Sequence, residues 1–303
     1  MQDKSCFLDA GTRRVVWVTG LAVLLAGCSP VQESRAQQGQ GGRLNGVIER
    51  AEQGELIFNG ESWQMLPDQE HDVFGLFKLE SALATLRPEG STRPTLAPVV
   101  RVSMEAGQQE KHRVKQLLDA GLMGLILPQV ETAEQVREFV SAMRYPPQQE
   151  GRWYSGEPRG RRGWSPGRAA QLWGVSTEEY APKADVWPLN PEGELLAMIL
   201  IETKQAVDNI EEILEVPGLG AALVGMGDLS MSLGVGTPAS NQNHPDVMVA
   251  VDRIAAACAA HRAGGGKVIC GRYQTPEGLE AAIDKGFTMF TSERGDYRGD
   301  LTR

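Results

Sequence analysis

Two acidic residues follow directly on two short apolar segments, and carboxylates in such positions can hold a metal ion. Residues 198–201 (MILI) lead into Glu202, and residues 221–224 (AALV) lead into residues 225–228 (GMGD), which end in Asp228. Each segment has the length and apolarity of a strand buried in a parallel sheet, whose carboxyl end is where ligands bind. Two neighbouring carboxylates repel each other unless a cation lies between them, so the pattern predicts a hard divalent metal. The alternative is that each residue caps a helix.

The elements that must position these residues alternate between strand and helix. Thr132 and Gln135 are spaced as a capping box, and residues 246–263 form a long alanine-rich helical segment. Strand-like segments lie near residues 56–58, 63–67, 98–101, 124–127, 198–202, 221–225, 267–270 and 288–291. Eight strands alternating with helices predict an α/β protein with a (β/α)8 TIM barrel. Few residues separate the first two strands, so the first βα unit is expected to be abbreviated.

Composition limits the classes of function. The 303 residues carry a net charge of −9, and 41% of them are hydrophobic, as in ordinary soluble globular proteins. An acidic chain without a basic patch offers no surface for nucleic acid. Residues 45–303 have the size of one large domain and not of two small ones.

The amino terminus has the pattern of an export signal. Arg13 and Arg14 precede a short apolar stretch that ends in residues 25–28 (LAGC), which resemble the lipobox of bacterial lipoproteins. Residues 1–28 are therefore expected to be a signal peptide with lipidation at Cys28, and residues 29–44 a flexible linker. Ser29 favours the outer membrane facing the periplasm, with the lipid anchor as the only membrane contact. The alternatives are an ordinary signal peptide, or a misassigned start codon ahead of a cytoplasmic enzyme.

Two further features leave alternatives open. Cys258 and Cys270 either form a disulfide in an oxidising compartment or remain two buried thiols. Residues 145–168 are rich in Pro, Gly and Arg, which predicts a long loop that either covers the active site or contacts another subunit.

Several short motifs carry a family resemblance. They are residues 68–71 (DQEH), 99–101 (VVR), 118–121 (LDAG), 144–147 (RYPP), 201–203 (IET) and 225–230 (GMGDLS). In this order and spacing they resemble the HpcH/HpaI aldolase and citrate-lyase β-subunit family of metal-dependent pyruvate aldolases, over roughly residues 44–295. Two positions depart from the family pattern, because Leu200 stands where many members have Gln and Met226 where many have Pro.

The resemblance implies a metal-assisted cleavage. Glu202 and Asp228 would bind Mg²⁺ or Mn²⁺, and Co²⁺ also suits two carboxylates with water. A 2-oxo acid would chelate the metal through its carboxylate and keto oxygens, and Arg101 would stabilise the enolate that forms. The alternative for Arg101 is a structural ion pair.

The resemblance also implies roles for three residues outside the metal pair. His71, oriented by Asp68, would move the proton of the 4-hydroxyl group. Asp119 would close the site, either in its own chain or in a neighbouring subunit of a homo-oligomer. The alternatives are that His71 is a surface histidine and that Asp119 simply ends a helix.

Two main functions follow from these predictions. The first is a lyase that cleaves a 4-hydroxy-2-oxo acid to pyruvate and an aldehyde. The second is a lipid-anchored protein that binds metal and an oxo acid without efficient catalysis. A citrate-lyase-like CoA-ester lyase is a third alternative.

Overall fold

The computed structural model describes residues 42–71, 75–87, 90–91, 93–108, 111–148, 156–237, 241–273 and 278–293, with the side chains of residues 76 and 293 left out. The predicted signal peptide, with Cys28, and residues 29–41 of the predicted linker lie outside the described residues. Among the helices that are described, none is both long and apolar enough to cross a lipid bilayer.

Eight parallel strands close into a barrel in chain order, so the prediction of a (β/α)8 TIM barrel is confirmed. The strands are β1 Ile57–Asn59, β2 Trp63–Met65, β3 Ala97–Arg101, β4 Gly124–Leu127, β5 Leu196–Ile201, β6 Leu219–Val224, β7 Ile269–Arg272 and β8 Met289–Glu293. Each lies within a few residues of its predicted position. The apolar runs identified them because both faces of such a strand are buried.

Helices cover the barrel between the strands. They are α1 Gly46–Gln53, α2 Leu76–Thr85, α3 Lys111–Ala120, α4 Ala133–Met143, α5 Gly167–Trp173, α6 Thr177–Lys183, α7 Lys204–Asp208, α8 Ile210–Leu214, α9 Met226–Ser232, α10 Pro245–Ala263 and α11 Leu279–Asp284. The capping box of Thr132 and Gln135 opens α4 as predicted. The first βα unit is abbreviated as predicted, because a turn without a helix joins β1 to β2. The two strands pair in parallel, with Asn59 opposite Trp63.

The barrel is closed at the end where its strands begin. Asn45 caps α1 by accepting a hydrogen bond from the Val47 N–H, and its amide donates to the carbonyl oxygens of Met123 and Glu194. Met123 and Glu194 lie just before β4 and β5. Buried Val47 and Ile48 on α1 join the hydrophobic core. The cavity described below lies at the opposite end, where the strands finish.

A disulfide resolves the alternative that the sequence left open for the two cysteines. Cys258 on α10 and Cys270 on β7 are bonded to each other, with their Cα atoms 6.3 Å apart. Both are buried. Cys270 therefore faces the helix layer. Because side chains alternate between the two faces of a strand, Arg272 also points outward and Tyr273 points into the barrel.

The described part of the predicted loop folds back onto the helices. Arg144 is buried and forms a two-point ion pair with Asp185, at 2.6 and 3.1 Å, while its backbone carbonyl accepts the N–H of Arg162. Residues 145–148 and 156–166 do not line the cavity described below. Within the described residues the loop does not cover the site, and its contact with another subunit stays a prediction.

Candidate active site

A cavity of about 350 Å³ opens at the carboxyl end of the barrel. Its wall is formed by Met65, Asp68, Arg101, Ile126, Leu200, Glu202, Leu223, Val224, Gly225, Met226, Gly227, Asp228, Gln242, Tyr273 and Thr291. Four of the six residues predicted from the sequence are brought together here: Asp68, Arg101, Glu202 and Asp228. His71 and Asp119 are not part of this wall.

Glu202 lies at the end of β5 with its side chain almost fully buried. Its Oε1 accepts the N–H of Gln129 at 2.7 Å. Gln129 adopts a left-handed backbone with φ of 54°, which is uncommon for a residue other than glycine and here accompanies a hydrogen bond to a functional side chain. Glu202 does not cap α7, because Thr203 does so through its hydroxyl. The helix-cap alternative for Glu202 is therefore wrong.

Asp228 lies in the first turn of α9, on the strand end next to that of Glu202. It makes no capping hydrogen bond, since the capping residue of α9 is Gly225 and uses no side chain. The helix-cap alternative thus fails for Asp228 too. Both carboxylates are left to face the cavity.

The electrostatics of the site fit a bound cation. Burial is the largest of the effects that together raise the pKa of Glu202 to about 7. The charges of Asp228 and Glu70 act in the same direction, while the Gln129 N–H and Arg101 oppose them. Along the cavity wall that the structure describes, Arg101 is the one cationic side chain facing these carboxylates. A divalent metal would relieve the excess of negative charge. The described residues contain no group of three or more metal-ligating side chains, so Glu202 and Asp228 would need water or substrate to complete the coordination.

Arg101, at the end of β3, is held by two acidic side chains. Its guanidinium forms a two-point ion pair with Asp68, with Nε 3.0 Å from Oδ1, and its Nη1 lies 2.8 Å from Oε2 of Glu70. Burial lowers the pKa of Arg101, but the two carboxylates more than offset this effect. Arg101 is therefore charged and rigidly oriented at the rim of the cavity.

The expected contact between Asp68 and His71 is not formed. Besides binding Arg101, Asp68 accepts the N–H of Glu70 at 3.0 Å, while His71 is 64% exposed and has its Nε2 3.7 Å from Oε2 of Glu70. The physical reason is the route of the chain after β2, which runs beside β3 and brings Asp68 against the guanidinium. Asp68 orients Arg101 and not His71.

Asp119 lies near the end of α3 and has a different partner. Its carboxylate accepts a hydrogen bond of 2.8 Å from Nη2 of Arg162, which is buried between the rings of Tyr145 and Tyr180. Among the described residues, Asp119 is therefore not part of the wall of the cavity in its own chain. A role in the site of a neighbouring subunit stays a prediction.

Sequence reasoning gave no role to Glu70, Gln129 and Gly225, which contact Arg101 or Glu202. Glu70 had a visible signal, since it lies within the DQEH motif. Burial and the charges of Asp68 and Asp228 raise the pKa of Glu70, with Arg101 and His71 opposing them. The role of Gln129 depends on its unusual φ, which the sequence does not reveal.

Gly225 is required by the close approach of Glu202. A Cβ atom at this position would lie 2.4 Å from Oε2 of Glu202, although the φ of −91° is open to any residue. Gly225→Ala is expected to displace the Glu202 carboxylate and to weaken Mn²⁺ affinity at least tenfold, measured by calorimetry. Gly167→Ala is the matched control, because a Cβ there meets nothing within 4 Å. Equal Mn²⁺ affinity in the two variants would show that the Glu202 carboxylate tolerates the shift.

The raised pKa of Glu202 predicts how the stability of the metal-free protein depends on pH. The folded protein keeps a proton on Glu202 up to about pH 7, whereas the unfolded chain releases it near 4.5. Unfolding therefore releases a proton in this window, and the free energy of unfolding falls as pH rises, by about 3 kcal/mol in total.

Urea denaturation between pH 4.5 and 7.5 measures this effect. The Glu202→Gln variant is the control, because it lacks the titrating group and should not show this loss of stability. Saturating Mn²⁺ should also remove it. Parallel pH profiles for the wild type and the variant would contradict the assignment.

Comparisons with known proteins agree with the fold. Residues 78–291 match the model of the HpcH/HpaI aldolase/citrate lyase family. The chain is 35% identical over 196 residues to a 2-keto-3-deoxy-L-rhamnonate aldolase of Klebsiella pneumoniae, which covers 64% of this chain and 61% of that protein. It is 36% identical over 189 residues to the enzyme of the same name from Escherichia coli K12, covering 62% and 59%. The chain thus spans about three fifths of the length of these curated relatives.

Solved structures support the same architecture. An HpcH/HpaI aldolase/citrate lyase family protein from Burkholderia cenocepacia superposes with a TM-score of 0.65 at 24% identity, covering 83% of this chain and 94% of that one. An HpcH/HpaI aldolase from Desulfitobacterium hafniense gives 0.63 at 22% identity, covering 82% and 89%. At these identities the likeness concerns the fold.

Proposed function

Because this chain belongs to the HpcH/HpaI aldolase/citrate lyase family, we propose that it is a metal-dependent aldolase that cleaves a 4-hydroxy-2-oxo acid to pyruvate and an aldehyde. One observation carries the proposal. Glu202, Asp228 and Arg101 line a single cavity at the carboxyl end of the barrel, which brings two carboxylates that could hold a metal close to a fixed cation. The proposed substrate class includes 2-keto-3-deoxy sugar acids such as the one named for the relatives.

The residues of the chain would divide the work of this reaction. A divalent metal held by Glu202 and Asp228 would supply Lewis-acid polarisation of the 2-keto group. As the bond between C3 and C4 breaks, the 4-hydroxyl group would lose its proton to a base, for which His71 is the candidate, and become the aldehyde. Electron density would move toward the keto oxygen, where Arg101 would stabilise the negative charge. Protonation of C3 would then give pyruvate. Asp68 and Glu70 keep the guanidinium in place, so it needs no reorientation during the reaction.

The test is pyruvate release from a panel of 4-hydroxy-2-oxo acids, with Mn²⁺ and with a chelator. Metal-dependent release from at least one substrate, absent in Glu202→Gln, is expected. A parallel panel of acyl-CoA esters covers the CoA-ester lyase alternative. Cleavage of an acyl-CoA ester with no release from any oxo acid would favour that alternative over the aldolase.

A second candidate is a protein that binds metal and an oxo acid without turnover. One observation favours it: His71, the proposed proton carrier, is largely exposed and does not line the cavity. Its catalytic role requires the imidazole to reach the 4-hydroxyl group of a substrate in the cavity.

Replacing His71 separates the two candidates. If His71 moves the 4-hydroxyl proton, His71→Ala should lower the rate of cleavage about 10²–10⁴-fold and leave Mn²⁺ and pyruvate binding intact. His112→Ala, on α3, is the control histidine. A wild-type protein that binds pyruvate with Mn²⁺ but cleaves no substrate of the panel would support the binding protein.

We also propose that the protein is lipid-anchored in the cell envelope through Cys28. The Leu-Ala-Gly-Cys pattern supports this, and so does the buried disulfide, because disulfides persist mainly in oxidising compartments. Membrane fractionation of the wild type against Cys28→Ser is the test. Equal solubility of the two would favour the cytoplasmic alternative.

The proposal of a homo-oligomer rests on Asp119, which is not among the residues that line the cavity of its own chain. Light scattering of the purified protein tests the assembly. If Asp119 serves a neighbouring site, Asp119→Asn should lower activity in the oligomer without changing metal affinity.

A further inference from the structure

Arg272, the last residue of β7, is a buried arginine that the proposed reaction does not use. It is 5% exposed and pairs in register with Val224 of β6. Because Cys270 faces α10, Arg272 faces the same outer side of the strand and not the cavity. Arginine is rarely buried this completely without a specific contact.

The main contact of Arg272 leads to the turn that carries Asp228. Its Nη2 lies 3.0 Å from Sδ of Met226, and its Nε donates weakly to the carbonyl oxygen of Tyr273 at 3.4 Å. The ring centre of Phe287 is 5.8 Å from the guanidinium carbon. Among the residues that the structure describes, no carboxylate pairs with it directly, although the charge of Asp252 acts on it from a distance.

The turn formed by residues 225–228 is thereby held from both neighbouring strands. On the β5 side, the Gly225 N–H donates to the Ile201 carbonyl at 3.1 Å, and Gly225 lies against the Glu202 carboxylate. On the β7 side, Arg272 contacts Met226. Asp228 follows Met226 by two residues, within the same helical turn of α9. A shift of Met226 would therefore be transmitted to Asp228.

The identity of residue 226 explains why such a contact is needed here. Met226 is the first residue of α9, a position at which proline is favoured in helices generally. Proline at this position restricts φ to the helical value in advance, and methionine does not. The contact between the Arg272 guanidinium and the Met226 sulfur instead restrains residue 226 through its side chain.

We propose that Arg272 is a positioning residue that, through Met226, holds the turn of residues 225–228 so that Asp228 faces Glu202 at the metal site. This inference rests on the proposed function, because it takes Asp228 to be a metal ligand. Loss of a residue that orients a metal ligand typically weakens metal affinity 10–100-fold.

Calorimetric titration with Mn²⁺ tests the inference without an activity assay. Arg272→Met is expected to weaken Mn²⁺ affinity about 10–100-fold. Adding Met226→Pro to that variant should restore most of the affinity, since proline replaces the lost restraint. Arg262→Met is the matched control, because Arg262 donates to the Gly286 carbonyl in the same helix layer but does not contact the turn.

The Mn²⁺ affinities of these variants decide whether Arg272 positions the turn. Unchanged Mn²⁺ affinity in Arg272→Met, or a loss that Met226→Pro does not restore, overturns the inference, because the arginine then serves only general stability. If Arg272→Met does not fold, Met226→Leu and Met226→Pro decide. Weaker binding in the leucine variant with near wild-type binding in the proline variant supports the inference, and equal binding overturns it. Absence of Mn²⁺ binding in the wild type would instead refute the proposed function.

Discussion

Glu202→Gln is expected to abolish Mn²⁺ binding. The loss of affinity should exceed the 10–100-fold loss that is typical when a residue that orients a metal ligand is replaced. The substitution keeps the size of the side chain and the acceptor for the Gln129 N–H but removes the negative charge. Asp228 would then be the only charged ligand left in the pair. Calorimetry with Mn²⁺, and pyruvate release from the best substrate of the panel, measure the two consequences.

The control for this variant is Glu212→Gln, an exposed glutamate on α8. Its metal affinity and activity should match those of the wild type. The metal-free Glu202→Gln protein should also be more stable than the wild type near pH 8, because it no longer buries a charge. Wild-type Mn²⁺ affinity in Glu202→Gln would remove the basis of the proposed function.

Arg101→Ala is expected to lower kcat about 10²–10³-fold, which is the usual effect of removing a group that stabilises an oxyanion. Its effect on metal affinity should be small or even favourable. Without the guanidinium, Asp68 and Glu70 lose their counter-charge and add negative potential near the metal site. The contrast between a lost rate and a retained metal site is the signature of a residue that acts on the transition state.

Arg101→Lys provides the matched comparison. It keeps the charge but cannot hold Asp68 at two points, so kcat should fall to an intermediate value. Circular dichroism and thermal unfolding must accompany both variants, because two partly buried carboxylates are left unpaired by the alanine substitution. Loss of metal and fold together in Arg101→Ala, with normal rates in Arg101→Lys, would show that Arg101 is a structural ion-pair residue.

The fold followed from the sequence because its signals are local. The run at residues 198–201 and the run at residues 221–224 are apolar over four residues, and a parallel strand covered on both faces needs that composition. The positions of the two carboxylates proposed to bind the metal followed from the same signal. A residue just beyond a strand must lie at the carboxyl end of the barrel, whatever the rest of the chain does, so Glu202 and Asp228 could be placed before any contact was known.

Pairings between distant segments were decided only by the tertiary structure. Their closeness in sequence favours a contact between Asp68 and His71, but the chain after β2 runs along β3 and brings Asp68 to Arg101. The pairing of Cys258 with Cys270 depended on the distance between α10 and β7. Asp119 meets Arg162 because the loop after α4 folds back over α3 and α6.

The sequence by itself therefore determined the barrel, its abbreviated first unit and the strand ends that carry the two carboxylates. The tertiary structure decided which side chain each charged group meets: Glu70 beside Arg101, Gln129 behind Glu202 and Arg272 beneath Met226. The physical reason is the difference in sequence separation between the residues that produce each kind of signal. Burial patterns repeat within a few residues and can be read along the chain, whereas a hydrogen bond requires a separation of about 3 Å between groups that only strand register and helix packing bring together.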